Sequence, residues 1–137
     1  MAFAVHVVEP LDEQRQRIAA ARPGVKLLAQ ADASLRDADM VVWAVKPQSF
    51  AEAAAACAPQ VSGALQLSVM AGVRSDAIAQ ATGSQRVVRA MPNTPALIGQ
   101  GIAALFARPA VSDDERAAVA QVLAPTGSLL WVAREED

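Results

Sequence analysis

Read from its N-terminus, the chain alternates short apolar runs with mixed stretches. "AFAVHVVE" (2–9) predicts a strand close to the N-terminus. Pro10 suits a helix entry and Asp12 an N-cap, so a helix is expected over Asp12–Arg22, with Ile18, Ala19 and Ala20 on its apolar face. "RPG" (22–24) ends it, and "VKLLA" (25–29) is a second short strand. Ser34–Asp39 reads as a single helical turn. "MVVWAV" (40–45) is continuously apolar, as expected of a strand buried on both faces, and "KPQ" (46–48) breaks it.

The same alternation continues. Phe50–Cys57 is expected to be helical, with Pro59 as its stop. "ALQLSV" (64–69) is a strand followed by "MAGV" (70–73), and Asp76–Ala81 is a helix closed by Gly83. "RVVRA" (86–90) is a strand that runs into "MPNTPALIGQG", and "GIAALFA" (101–107) is another. Ser112 with Glu115 three positions on forms a capping box for a helix over Asp113–Leu123. "SLLWV" (128–132) is the last strand, and "AREED" is expected to be a solvated polar end. Strands alternating with helices of roughly ten residues indicate an α/β fold of Rossmann-like type, a mostly parallel sheet with helices on both faces.

Composition narrows the function classes. The 137 residues suit one domain or most of one, and 53% hydrophobic with 19% charged residues describes a globular chain. A net charge of −2 and 4% aromatic residues leave neither a basic footprint nor a stacking platform, so no nucleic-acid partner is expected. No apolar run reaches the roughly 18 residues of a membrane span, and no secretory signal is evident. The single cysteine, Cys57, excludes an internal disulfide and fits a cytoplasmic location; it is expected to be a small buried hydrophobe. Trp43 and Trp131 are expected in the core, and His6, inside a strand without an Asp or Cys partner, in a structural or surface role.

In an open α/β sheet, ligands gather beyond the carboxyl ends of the strands. Four stretches lie there. Glu9 ends the first strand, either as an acid on ribose hydroxyls or as a helix-entry acid favoured by the dipole. Ala44, Val45, Lys46 and Pro47 follow the buried strand, and Lys46 is either a solvent-facing lysine or the rim of a ribose–phosphate site. Met70, Ala71 and Gly72 make a turn with so little bulk that a ligand could approach the backbone. Asn93, Thr94 and Pro95 offer an amide and a hydroxyl between two prolines, suited to a carboxamide or to an Asx turn. No GxGxxG, P-loop, GxSxG or His/Cys cluster is present in the sequence, so no catalytic residue and no metal ligand is assigned.

"VVWAVKPQ", "LSVMAGV" and "RVVRAMPNTPALIGQGIAALFA", in that order and spacing, resemble the bacterial pyrroline-5-carboxylate reductases, from about Val5 to Glu136. The resemblance implies reduction of 1-pyrroline-5-carboxylate to proline with NADPH or NADH as hydride donor. It places Ala44, Val45, Lys46 and Pro47 beside the cofactor's ribose and pyrophosphate. Met70, Ala71 and Gly72 fall next to the nicotinamide half, and Asn93, Thr94 and Pro95 near the nicotinamide ring. Glu9 falls where the family separates NADP from NAD. The family begins with a strand and a glycine-rich "FIGGGNM"-like loop and continues into a helical domain that forms the oligomer and carries the "SGSGPAY"-like substrate loop. The chain is therefore expected to be a single partial NAD(P)-binding domain, residues 1–137, without that first strand or the C-terminal domain, and inactive alone. Two alternatives share the architecture: the cofactor domain of a β-hydroxyacid dehydrogenase, and a non-catalytic nucleotide-binding or receiver-like module.

Overall fold

The computed structural model describes residues 5–92 and 101–135. By internal contacts the chain divides into two units, Met1–Asp37 and Ala38–Asp137, each described by itself.

The first unit is a βαβ element. Strand β1 (His6–Val8) leads into helix α1 (Asp12–Ala21) and returns as β2 (Lys26–Leu28), paired parallel to β1 with His6 opposite Lys26. Asp12 is the first helical residue; the cap position is Leu11, with extended backbone. The carboxylate that meets the helix start is that of Glu9, whose Oε1 accepts from the Leu11 N–H at 3.2 Å. Asp12 instead holds Arg15 and Gln16 along the exposed helix surface. The expected turn at 34–39 is a 3-10 helix over Ala33–Asp37, opened by Asp32, whose carboxylate accepts from the Ser34 N–H at 2.8 Å.

The second unit is a five-stranded sheet in the order β3-β4-β5-β6-β7. Its strands are β3 (Met40–Trp43), β4 (Leu65–Ser68), β5 (Val87–Pro92), β6 (Gly101–Ala107) and β7 (Gly127–Trp131). All neighbours pair parallel except β5 with β6, which is antiparallel. Helices α2 (Phe50–Val61) and α3 (Ser75–Thr82) pack together, and α4 (Asp113–Leu123) contributes Val119 and Leu123 to an apolar cluster with the sheet. Strand alternation explains the two faces. Leu65, Leu67, Val88, Ala90 and Leu105 turn to one side, where Val119 and Leu123 of α4 complete the core. Gln66, Ser68, Val87 and Arg89 alternate with them and are also buried. The architecture is the mixed α/β, mostly parallel one that the pattern indicates.

Several expectations are corrected by packing. Pro59 does not stop α2 but sits inside it. Its missing N–H and its ring disturb only the turn at Ala55, and both residues lie on the exposed side. Burial of Ala54 (0%) and Val61 (3%) on the other side keeps the helix going. Strand β3 is not buried on both faces: Val42 is 48% exposed, because β3 is the edge strand of this sheet. Trp131 is half-buried, with the Arg116 guanidinium 5.0 Å from its ring centroid. Cys57 is half-buried as well, and that burial pushes its thiol pKa up. Trp43 is core, edge-on to Phe50 at 5.2 Å. The polar end is not wholly solvated, since Glu135 is buried.

Candidate functional site

Three of the four candidate stretches belong to the second unit, and its topology accounts for two of them directly. Strands β3 and β4 run parallel with Trp43 opposite Ser68, so both end at the same level. The Val69 N–H donates to the Trp43 carbonyl at 3.1 Å, extending the ladder by one rung. Ala44–Pro47 and Met70–Gly72 thus leave neighbouring strands at the carboxyl edge of the sheet, where ligands of open α/β sheets collect.

The first loop is short and accessible. Ala44, Lys46 and Pro47 are exposed and Val45 is half-buried. Lys46 has extended backbone (φ −63, ψ 139), as a residue before proline should, and its carbonyl accepts from the Ser49 N–H at 2.8 Å. A 3-10 turn at Pro47–Ser49 then feeds α2. No side chain caps the start of α2, which follows that turn directly.

The second loop is a turn with one left-handed residue. Gly72 has φ +75, and a Cβ built there meets nothing within 4 Å, so the ground above its backbone is open. Ala71 and Gly72 are exposed. Met70 is 4% exposed, and its N–H donates to Ser68 Oγ at 3.1 Å. Its side chain is buried and anchors the turn in the core.

Strand β5 neighbours β4 on the other side, with Arg89 opposite Ser68, and runs on to Pro92. Asn93, Thr94 and Pro95 lie outside the described residues. In the first unit, Glu9 closes β1: its N–H donates to the Leu28 carbonyl at 2.9 Å and its carbonyl accepts from Arg15 Nη1 at 2.7 Å.

Sequence reasoning missed a buried polar cluster beside these loops. Glu135 accepts from the Ser75 N–H at 2.6 Å, from the Ser75 hydroxyl at 2.8 Å and from Arg89 Nη1 at 2.9 Å. Burial pushes the Glu135 carboxyl up, but the Ser75 N–H, the Arg89 guanidinium and the Ser75 hydroxyl outweigh it and hold the pKa below the ordinary glutamate value. The available signal was alternation: Val87 and Arg89 share a strand face, so a buried Val87 implies a buried arginine that needs an anion. Nothing in the sequence pointed to Glu135 as that anion.

A second polar hub is Gln66, fully buried, which bridges Trp43 to the end of α2. Among the described residues no group of three or more His, Cys, Asp or Glu side chains could hold a metal ion, and no helix is long and apolar enough to cross a membrane.

No family model matches the chain. It is similar to the pyrroline-5-carboxylate reductase of Pseudomonas aeruginosa, at 36% identity over 136 residues, which covers 98% of this chain and 50% of that protein. With the pyrroline-5-carboxylate reductase of Haemophilus influenzae it shares 38% identity over 103 residues, 72% of this chain and 37% of the relative. Among solved structures, the pyrroline-5-carboxylate reductase of Coxiella burnetii superposes with a TM-score of 0.85 at 27% identity, covering 96% of this chain and 49% of that one. The chain spans about half the length of the curated relatives it matches.

Proposed function

From this kinship with the pyrroline-5-carboxylate reductases, shared over about half of their length, we propose that the chain supplies part of the NAD(P)H-binding domain of such an enzyme, in a single partial domain. The reaction would be reduction of 1-pyrroline-5-carboxylate to proline in the cytoplasm, by a full-length protein that is a homo-oligomer and needs no nucleic acid or membrane.

The observation that carries the reading is the pairing of the two loops at the carboxyl ends of β3 and β4. A dinucleotide needs a rim that meets its phosphates and a bare surface on which its ring half can lie. Lys46 and the uncapped start of α2 fit the first requirement, and the open backbone at Ala71–Gly72 the second. When bound, the nicotinamide supplies the hydride that an imine carbon accepts, more readily once the imine is protonated. Ala44, Val45, Lys46 and Pro47 would hold the ribose and pyrophosphate. Met70, Ala71 and Gly72 would support the nicotinamide half, with Asn93, Thr94 and Pro95 near its ring. Glu9 would bond ribose hydroxyls, and its charge disfavours a 2′-phosphate, so NADH is accepted. No residue of the chain is assigned as catalytic.

Calorimetric titration of the chain with NADPH and with NADH tests this. Saturable one-to-one binding of at least one of them is expected; no heat with either at millimolar concentration would refute it.

A further inference from the structure

Within its first turn α3 supplies a local acceptor, Asp76 Oδ1 to the Ala77 N–H at 2.9 Å, but none at its cap position. Its cap position is Arg74, which offers no acceptor, and the helix N–H at Ser75 is met by Glu135, 60 residues away in sequence. The same carboxylate takes the Ser75 hydroxyl and the Arg89 guanidinium, and Arg74 Nη2 stands 3.7 Å off. The Arg89 and Glu135 side chains are only 9% and 7% exposed. Arg89 Nε is buried with no hydrogen-bond partner among the described residues, so Glu135 supplies the anionic contact of that guanidinium.

The two residues gripped by Glu135 are placed tellingly. Ser75 lies three positions after Gly72, the left-handed residue of the turn. Arg89 lies opposite Ser68, whose hydroxyl receives the Met70 N–H where that turn begins. Both ends of the 70–74 segment are thus tied to one carboxylate, directly at Ser75 and through the β4–β5 pairing at Ser68.

We propose that Glu135 is a positioning residue for the cofactor site: it borrows the cap of α3 and the charge of Arg89 to hold the Met70–Gly72 turn in its left-handed, ligand-facing shape. This rests on the cofactor reading above. A helix start without an acceptor frays, and a turn ending in a frayed helix samples other shapes, which lowers affinity in proportion to the competent fraction.

The test compares the wild-type chain with Glu135→Gln. Hydrogen exchange should rise at least tenfold for amides of residues 70–77, while those of β6 and α4 stay protected. The dissociation constant for whichever of NADPH or NADH the wild type binds should rise about tenfold. Ser112→Ala, which loosens α4 instead, should leave that constant unchanged at a comparable loss of melting temperature. If Glu135→Gln fails to fold, the double variant Arg89→Met/Glu135→Met removes the buried charges together and is read in the same way. Unchanged exchange at 70–77, or raised exchange with unchanged affinity, would overturn the proposal. Absence of binding by the wild type would sink the cofactor reading alone, and the exchange comparison then decides whether Glu135 orders the turn.

Discussion

The indole Nε1–H of Trp43 donates to Gln66 Oε1 at 2.7 Å, and both side chains are buried. The Gln66 amide donates onward to the carbonyls of Val61 and Ala64. Each carbonyl also has a second donor, the Ala64 N–H for Val61 and the Ser84 hydroxyl for Ala64. Removing the amide therefore orphans one group, the indole N–H. Gln66→Leu should cost about 1–3 kcal/mol in urea unfolding. In the Trp43→Phe background, where that N–H is gone, the same change should cost measurably less.

Acid should weaken the second unit through Glu135. Its folded pKa lies below its ordinary value, so the native state binds this proton less readily than the unfolded chain. The stabilisation is present above the unfolded value of about 4.3 and is lost as pH falls through the folded value. Urea midpoints measured between pH 7 and pH 3 should decline at the acid end, and Glu135→Gln should flatten the decline. Glu115 keeps a share in that variant: burial raises its carboxyl, but the Ser112 N–H and Arg86, 2.5 Å away, bring it below the ordinary value.

Two glycines separate backbone strain from ligand contact. Gly72 and Gly83 have φ +75 and +78, and a Cβ at either meets nothing closer than ordinary van der Waals distance. Alanine at each should cost about 1–2 kcal/mol for the left-handed backbone. Only Gly72→Ala should also weaken cofactor binding, because Gly83 closes α3 away from the loop edge.

Lys46 is exposed, so Lys46→Ala should leave the melting temperature within about a degree or two of wild type. Cofactor affinity should fall about tenfold, the worth of ~1.4 kcal/mol for one charge-assisted contact. Its salt dependence should shrink in step, which a calorimetric series at increasing ionic strength would read.

Local signals were legible where local chemistry decides. Ser112 and Glu115 form the expected capping box, and Gly83 takes the expected left-handed closure of α3. The strand–helix alternation led to the right sheet, since each apolar run found a parallel neighbour or the β5–β6 hairpin partner. The misreadings are tertiary. Pro59 stays helical because its neighbours Ala54 and Val61 are buried, a fact no local propensity carries. Val42 is exposed because β3 is an edge. Glu135 was expected in a solvated polar end and is buried, joined to Arg89 across 46 residues and to Ser75 across 60. At the candidate stretches, the extended backbone of Lys46 and the turn at Gly72 were legible from Pro47 and from the glycine itself, whereas the Glu135 contacts behind the turn were not.

The most direct measurement is amide chemical-shift mapping of the labelled chain during titration with NADPH and with NADH. Shifts at Ala44–Val45–Lys46 and at Met70–Ala71–Gly72, with β7 and the α4 surface undisturbed, are the expected result. Saturable binding whose shifts fall elsewhere, or no shifts at all, would contradict the assignment of these loops as a cofactor-binding edge.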